Sequence, residues 1–243
     1  MVEIAAEKIV QIGPLPITNS LIMTWVVIGA LAFFAFWVNK NIKEIPDRLQ
    51  SFAELIVEGL YNTVEGLAGE RSKRIFPVVA TFFIFIITAN YFGLLPGINT
   101  IGIKEIHNGK EVLVPLFRSA NADLNLTLSL ALISVVLTHY YSITTIGLVA
   151  YQKRYFSLNP VFLFVGLLEI VSEFTKIISL SFRLFGNIFA GEALLSTISN
   201  LLAFIAPLPF MGLEILVGFV QAAVFTMLTL VFIVILTEKH EAY

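Results

Sequence analysis

Long runs without charge dominate the hydrophobic pattern of this chain. Residues 9–39, 75–103 and 124–152 contain no Asp, Glu, Lys or Arg. A helix of about 20 apolar residues crosses a hydrocarbon core of roughly 30 Å, so each run is long enough for one membrane-spanning helix. The predicted spans are 18–39, 75–96 and 124–150.

Between the first two spans, the segment 47–69 has a helical period of apolar and acidic positions. Its apolar side consists of Leu49, Phe52, Ile56, Leu60 and Leu67, and its polar side of Glu54, Glu58 and Glu65. A helix with two such faces lies in the plane of the membrane surface rather than across it. The pattern predicts an interfacial amphipathic helix, and the alternative is a short helix that packs on neighbouring loops.

Two longer apolar segments follow, at 160–201 and 210–237. Ser157 and Asn159 before Pro160 form a good helix start, and no further proline interrupts the first segment. At a rise of 1.5 Å per residue this helix is about 60 Å long, roughly twice the thickness of the hydrocarbon core. We therefore predict that the two segments form antiparallel, strongly tilted helices.

The composition supports a membrane location. Apolar residues make up 58% of the 243 residues and charged residues 13%, against about 25% charged residues in soluble domains. The predicted fold is an all-α integral membrane protein, one membrane domain over 1–243, with five membrane-inserted helices and one interfacial helix. The formal charge of −2 argues against a nucleic-acid partner, and the absence of Cys excludes disulfides and thiolate metal sites. No metal or cofactor is predicted.

The basic residues predict the orientation. One side of the membrane would hold nine of them and the other side four, namely Lys40, Lys43, Arg48, Arg71, Lys73, Arg74, Lys153, Arg154 and Lys239 against Lys8, Lys104, Lys110 and Arg118. Basic residues accumulate on the cytoplasmic side, so we expect the N-terminus outside and the C-terminus in the cytoplasm. The first apolar run follows Glu3 and Glu7 and is too long for a signal core, so we expect it to be a retained span.

Ionisable side chains interrupt the last two predicted helices. They are Glu169, Glu173, Lys176, Arg183, Glu192 and Glu214. Each costs about 2.5 to 3.5 kcal/mol at the membrane centre, so six that faced lipid would cost on the order of 15 kcal/mol. That cost is comparable to the whole stability of a fold. These side chains must therefore face protein, water or one another.

The spacing of these residues places most of them on one helical stripe. Glu169, Glu173, Lys176 and Arg183 follow one another at intervals of 4, 3 and 7 residues, and Asn187 extends the stripe. Glu192 comes nine residues after Arg183 and so points about 180° away from it. Glu173 and Lys176 are also explained by a plain ion pair one helical turn apart, and Glu169 by contact with solvent.

Arg183 differs from the other residues of this stripe. Its helical neighbours are Ser179, Leu180, Gly186 and Asn187, and none of them is an anion. A guanidinium group keeps its charge at any working pH. An arginine at this depth therefore requires a partner from elsewhere, and we interpret it as a functional residue.

The sequence around Arg183 resembles a known motif. The run 175–192, TKIISLSFRLFGNIFAGE, is similar to the signature of subunit a of F-type ATP synthases. The segments LLPG at 94–97 and SANADLNLT at 119–127, and Gln221 near the end, match the same family. The similarity extends over the chain from the first span onward.

This resemblance implies a non-catalytic stator subunit. We expect it in a bacterial plasma membrane, because no transit peptide is visible, and a plastid thylakoid membrane is the alternative. Its partners would be a ring of c subunits, the b subunits with the rest of the synthase, and membrane lipid, and the transported ion would be H⁺ or Na⁺. Arg183 would match the essential arginine, which separates an outer from an inner half-channel. The implied ion-translocation residues are Arg183, Glu192, Glu214, Gln221, Asn187, Lys176 and Glu173, with Asn90 and Asp123 toward the outer mouth.

Two other classes of function were weighed. A self-sufficient secondary transporter would usually show inverted repeats and paired broken helices, and neither is visible in the sequence. A membrane-embedded enzyme would need a nucleophile with a nearby His and acid, an HExxH motif or a phosphate-binding Gly-rich loop, and none is found. We interpret the lone His139 of the third span as a buried, hydrogen-bonded residue, and the chain leaves H⁺ and Na⁺ as open alternatives.

Overall fold

The computed structural model describes residues 6–12, 15–95, 101–107, 110–155, 160–201 and 206–238. Within these ranges the chain forms helices joined by short loops and two small hairpins. The elements in chain order are β1 (Lys8–Ile12), β2 (Leu15–Thr18), α1 (Asn19–Lys40), α2 (Arg48–Ala68), α3 (Ser72–Gly93), β3 (Gly102–His107), β4 (Lys110–Pro115), α4 (Leu124–Ile146), α5 (Leu148–Tyr155), α6 (Pro160–Leu201) and α7 (Pro207–Thr237).

Several of these helices are long and apolar enough to cross a membrane. In the described part of the chain the four such stretches are Asn19–Lys40, Arg48–Gly93, Leu124–Ile146 and Pro207–Thr237. Helix α6, which carries the ionisable stripe, is not among them. The chain is therefore a multi-pass, predominantly helical membrane protein. The insertion of α6 as a fifth helix, and the tilt of α6 and α7, stay predictions.

Helices α3, α4, α6 and α7 pack around one apolar core. Helix α3 lies against α7, α4 contacts both α6 and α7, and α1 and α2 pack on α3 from the outside. The largest core side chain is Phe225 of α7, which is fully buried and packs beside Phe82 of α3. Leu184 and Leu180 bring α6 into the same core, and burial of that size contributes about 1.5 to 3 kcal/mol per side chain in water. This core fixes the rotation of α6, and hence the direction of its polar residues.

Helix α2 presents much of its apolar side outward. Leu49 and Phe52 are exposed, while Val64 is buried against Ile75 of α3. Tyr61 packs edge-on against Phe76 at a centroid distance of 5.3 Å. The amphipathic pattern of the sequence is thus present as one helix anchored at its C-terminal half, and its position at the membrane surface stays a prediction.

The two hairpins add extended structure that the helical patterns do not predict. Strands β3 and β4 pair antiparallel from Gly102 with Pro115 to His107 with Lys110, between the predicted spans 75–96 and 124–150, where the sequence analysis placed no helix or strand. The sequence carries a signal for this hairpin, because Asn-Gly, the dipeptide at 108–109, is among the most favoured for a two-residue hairpin turn; these two residues lie outside the described ranges.

Helix α4 ends earlier than the predicted span 124–150. It stops at Ile146, because Gly147 adopts φ 87°, a left-handed conformation that few residues other than glycine accept. The remaining residues start the separate helix α5. Helix α7 begins at Pro207 instead of 210, since proline is tolerated in the first turn of a helix. Ser157, Asn159, Pro96, Gly97 and Lys239, which were used in the sequence interpretation, lie outside the described residues.

Candidate functional site

Arg183 lies on an outward face of α6. Its flanking residues Leu180 and Leu184 are buried in the core, whereas Ile178 and Phe182 are exposed at 57% and 55%. The guanidinium Nη2 donates a hydrogen bond to Ser179 Oγ at 3.1 Å. No Asp or Glu among the described residues forms an ion pair with Arg183. The positive charge of Arg183 is therefore available to an anionic group of a partner that covers this face of α6.

One turn beyond the arginine, α6 contacts α7 through two amide side chains. Asn187 Nδ2 donates to Gln221 Oε1 at 2.6 Å, and Gln221 is buried. Since Gln221 has no charge, this contact fixes the two helices without neutralising Arg183. The structure therefore brings together three of the predicted residues, Arg183, Asn187 and Gln221, along one seam of α6 and α7.

Further along the seam, Gly191 of α6 lies against the side chain of Glu214 on α7. A Cβ atom at Gly191 would overlap the carboxyl group of Glu214. As the contacts proceed from Asn187 to Gly191 on α6, their partners go back from Gln221 to Glu214 on α7, so the helices run antiparallel. Glu214 is buried at 6% exposure, and among the described residues it makes no ion pair and no side-chain hydrogen bond.

Glu192 lies close to Glu214 and is held by the segment after β4. Its Oε2 is 3.8 Å from Nε of Arg118, and its Oε1 accepts a hydrogen bond from the backbone N–H of Ser119 at 3.2 Å. Glu192 and Glu214 line a small cavity of about 10 Å³, close to the space that one water molecule needs, with Asn90, Gly93, Leu94, Ser119 and Ile188. The structure thus brings both acids of the last two helices to one polar space.

Asn90 connects this cavity to α7. Its Nδ2 donates to the carbonyl of Gly218 at 2.9 Å, and its Oδ1 accepts from Asn121 Nδ2 at 2.7 Å. Asn90 and Asn121 are both buried. The amide of Asn90 therefore holds α3 against α7 and presents polar atoms beside Glu214.

Asp123 has a structural role at the start of α4. One oxygen accepts the backbone N–H of Asn125 at 2.9 Å, which is the N-cap interaction, and the other accepts the hydroxyl of Ser20 at 2.5 Å. The latter bond ties α1 to α4. Asp123 is absent from the residues that line the Glu192 cavity, so its placement at an outer mouth stays a prediction.

A second polar cluster lies toward the N-terminal part of α6. Lys176 Nζ donates to Glu173 Oε1 at 2.7 Å, and the other carboxylate oxygen of Glu173 is 3.6 Å from His139 Nε2. His139 Nδ1 is 2.9 Å from the hydroxyl of Tyr151. Lys176 also lies 4.6 Å from the ring centre of Phe232 on α7. The expected ion pair is present, and His139 makes the hydrogen bond expected of it, but its side chain is half-buried rather than buried as predicted.

The polar groups of α6 thus lie at three positions along the helix, namely Glu173 with Lys176, Arg183, and Glu192. Along the axis, at 1.5 Å per residue, Glu173 lies about 15 Å and Lys176 about 10 Å before Arg183, and Glu192 lies about 13 Å beyond it. Only Arg183 of the three faces outward; the two end groups point toward α4 and toward the segment after β4. Two buried polar clusters are therefore separated by one exposed cation.

Some residues of these clusters were missed from the sequence. Arg118 was counted only as a basic residue of a loop, and Asn121 and Tyr151 carried no periodic signal. The only hint was their position next to the segment 119–127, which matches the family. Arg118 immediately precedes this segment, and Asn121 lies within it. Across the ranges described above, no group of three or more His, Asp or Glu side chains is arranged to hold a metal ion.

Comparison with known proteins identifies the family. The sequence profile of the ATP synthase A chain family matches residues 21–234. The ATP synthase subunit a of Moorella thermoacetica is 30% identical over 240 residues, which cover 99% of this chain and 100% of the relative. The subunit a of Geotalea daltonii is 33% identical over 88% of this chain and 86% of the relative. The ATP synthase subunit a 2 of a Bradyrhizobium species is 33% identical over 92% of this chain and 90% of the relative. This chain therefore belongs to the ATP synthase A chain family.

Proposed function

We propose that this chain is the ion-translocating stator subunit in the membrane sector of a rotary F-type ATP synthase. The observation that carries the proposal is the exposed guanidinium of Arg183 between two buried polar clusters of the same helix. A ring of c subunits with one ion-carrying carboxylate each would cover the outward face of α6 and α7. The b subunits and the rest of the synthase would hold the chain in place.

The outward face has the character that a rotating neighbour requires. The exposed surfaces of these two helices are largely apolar, with Ile178 and Phe182 on α6 and Leu216 and Phe219 on α7 among the exposed side chains. Apolar side chains make no fixed polar contacts, so a partner surface slides past them without breaking hydrogen bonds. Arg183 is then the one fixed attraction for a passing carboxylate.

Arg183 acts as the electrostatic barrier. A rotor carboxylate about 4 Å from the guanidinium gains about 4 kcal/mol in its ionised form at an effective dielectric constant of 20. The carboxylate therefore releases its proton as it approaches Arg183. The same positive charge repels a free cation, which prevents direct leakage between the two clusters.

The two clusters supply two offset half-channels. With the orientation predicted from the basic residues, the cavity at Glu192 and Glu214 opens toward the outside and the Glu173 cluster lies toward the cytoplasm. An ion that enters at Glu214 must travel with the ring around to the Glu173 side, because Arg183 blocks the short way. Each charge that crosses 100 mV supplies about 2.3 kcal/mol, so several charges per turn are needed to drive ATP formation.

The test is reconstitution with and without the rotor. The purified chain alone in liposomes is expected to carry out no coupled ion exchange, whereas the complete synthase is expected to acidify vesicles on ATP addition. Coupled exchange by the isolated chain would contradict the proposal and would indicate a secondary transporter. Measuring ATP hydrolysis at fixed pH with and without sodium distinguishes the H⁺ form from the sodium-coupled form of the same subunit.

A glycine substitution tests the position of the Glu214 carboxyl group. In Gly191→Ala the added Cβ occupies the place of that carboxyl group, and because a glutamate side chain is flexible, it swings out of the cavity while the helix remains folded. We expect ATP-driven acidification by inverted vesicles to fall about fivefold with normal assembly of the complex, a loss smaller than the 100-fold or more from deleting a proton-transfer group.

The matched control is Gly29→Ala in α1, where nothing lies within 4 Å of the added Cβ. An alanine there favours the helix by up to about 1 kcal/mol and leaves acidification unchanged. Equal acidification by the two variants would show that the Glu214 carboxyl group has no function at this position.

A further inference from the structure

Arg118 is a buried cation whose role is not accounted for by the half-channel residues named above. Its side chain is 7% exposed and that of its partner Glu192 is 11% exposed. The guanidinium carbon lies 5.8 Å from the ring centre of Phe189, one turn before Glu192 on α6. Arg118 therefore contacts α6 through both an aromatic ring and a carboxylate, and it links the segment after β4 to this helix.

Each oxygen of the Glu192 carboxylate has a partner, one through a hydrogen bond and the other through an ion pair. Oε2 faces Nε of Arg118 at 3.8 Å, and Oε1 accepts the backbone N–H of Ser119 at 3.2 Å. A backbone donor cannot rotate away, and a planar guanidinium group loses little rotational freedom when it forms a pair. Glu192 is thus a carboxylate with a set position at the wall of the cavity.

Glu214 lines the same cavity in a different setting. Among the described residues it has neither an ion pair nor a side-chain hydrogen bond, and its carboxyl group lies against the bare backbone of Gly191. Two neighbouring carboxylates disfavour each other's charge, so a cation beside one of them decides which stays ionised. The proton of the pair then belongs to the other group.

We propose that Arg118 is a positioning residue that fixes the Glu192 carboxylate and thereby makes Glu214 the carboxyl group that exchanges the proton. This inference rests on the proposed function. Glu214 takes a proton from water in the cavity and passes it to the carboxylate of the rotor, which leaves Glu214 charged again. Glu192 stays paired with Arg118 throughout and takes no part in the proton transfer.

The experiment is a double-mutant cycle in the complete synthase, read as ATP-driven acidification of inverted vesicles. Arg118→Gln leaves the buried Glu192 without its cation and is expected to slow acidification at least about tenfold, since breaking one side of a buried pair is more harmful than removing both. Glu192→Gln alone is expected to slow it about threefold with coupling retained. The double variant is expected to equal Glu192→Gln alone.

Control variants separate positioning from general damage. Arg118→Lys keeps the cation and is expected to retain at least about half of the wild-type rate. If Arg118→Gln does not assemble, the rate of Arg118→Lys alone tests whether the positive charge at this position is what matters. Arg74→Gln, an exposed arginine 5.6 Å from the ring centre of Tyr141, is expected to acidify at the wild-type rate.

The inference is overturned if the losses of Arg118→Gln and Glu192→Gln multiply in the double variant, if Arg118→Gln acidifies normally, or if Arg118→Lys is as slow as Arg118→Gln. A failure of the proposed function would be visible in the same vesicles as a lack of acidification by the wild-type synthase. Multiplying losses with a normal wild-type rate would overturn the role of Arg118 alone.

Discussion

Arg183→Ala is expected to abolish proton-driven ATP synthesis, with a loss of at least about 100-fold. The stabilisation of about 4 kcal/mol that the guanidinium gives to a rotor carboxylate corresponds to nearly three powers of ten in its ionisation equilibrium. Without it the carboxylate keeps its proton, and free cations also pass between the two clusters. Coupling is lost while the soluble head continues to hydrolyse ATP.

The measurement uses inverted vesicles that carry the complete synthase, with ATP synthesis driven by an imposed gradient and ATP hydrolysis followed in parallel. Arg183→Lys retains a charge but loses the planar group that bonds Ser179 at 3.1 Å, so an intermediate loss is expected. Ser179→Ala is the matched control, because it removes that bond and leaves the cation. Normal synthesis by Arg183→Ala would contradict the barrier role.

Glu214→Gln is expected to have the second largest effect, a fall of at least about 100-fold in ATP-driven acidification. Positioned groups that transfer protons contribute roughly 10² to 10⁴ in rate, and a glutamine amide cannot take up and release a proton at neutral pH. The side chain keeps its size, so the buried contact with Gly191 and the packing of α6 on α7 are retained. The loss therefore reports on chemistry rather than on folding.

Two comparisons make this prediction specific. Glu214→Asp retains the carboxyl group on a shorter side chain and is expected to recover more than about a tenth of the rate. Glu192→Gln has the same change of charge at the neighbouring carboxylate and is expected to lose only about threefold. If Glu192→Gln were the more harmful substitution, the carboxyl group that exchanges the proton would be Glu192.

The ionisable stripe of α6 shows what helical periodicity predicts and what it does not. Intervals of 4, 3 and 7 residues place Glu173, Lys176 and Arg183 on one side of a helix. In the structure Glu173 is buried against His139 whereas Arg183 is exposed. The residues of one stripe differ in direction by tens of degrees around the helix axis. The packing of α4 on α6 therefore decides which of them are buried.

The same limit applies to contacts between distant segments. Helical spacing predicts that Glu192 points away from Arg183, but it does not predict the partner of Glu192. That partner, Arg118, lies 74 residues earlier in the sequence, and no local pattern links Arg118 to Glu192. Asn121 with Asn90, and Tyr151 with His139, are pairs of this kind. Such pairs form only when the helices that carry them have packed.

By itself the sequence determined the membrane class, the helical architecture and the family, because run length, charge distribution and a local motif are properties of neighbouring residues. It also singled out Arg183, since a cation without a local anion is visible within one helical turn on each side. Only the tertiary structure decided that Glu173 is buried while Arg183 is exposed, and that Arg118 holds Glu192 beside Glu214. The physical reason is that burial, cavity lining and ion pairing depend on how helices rotate and cross, and that rotation is set by a core assembled from the whole chain.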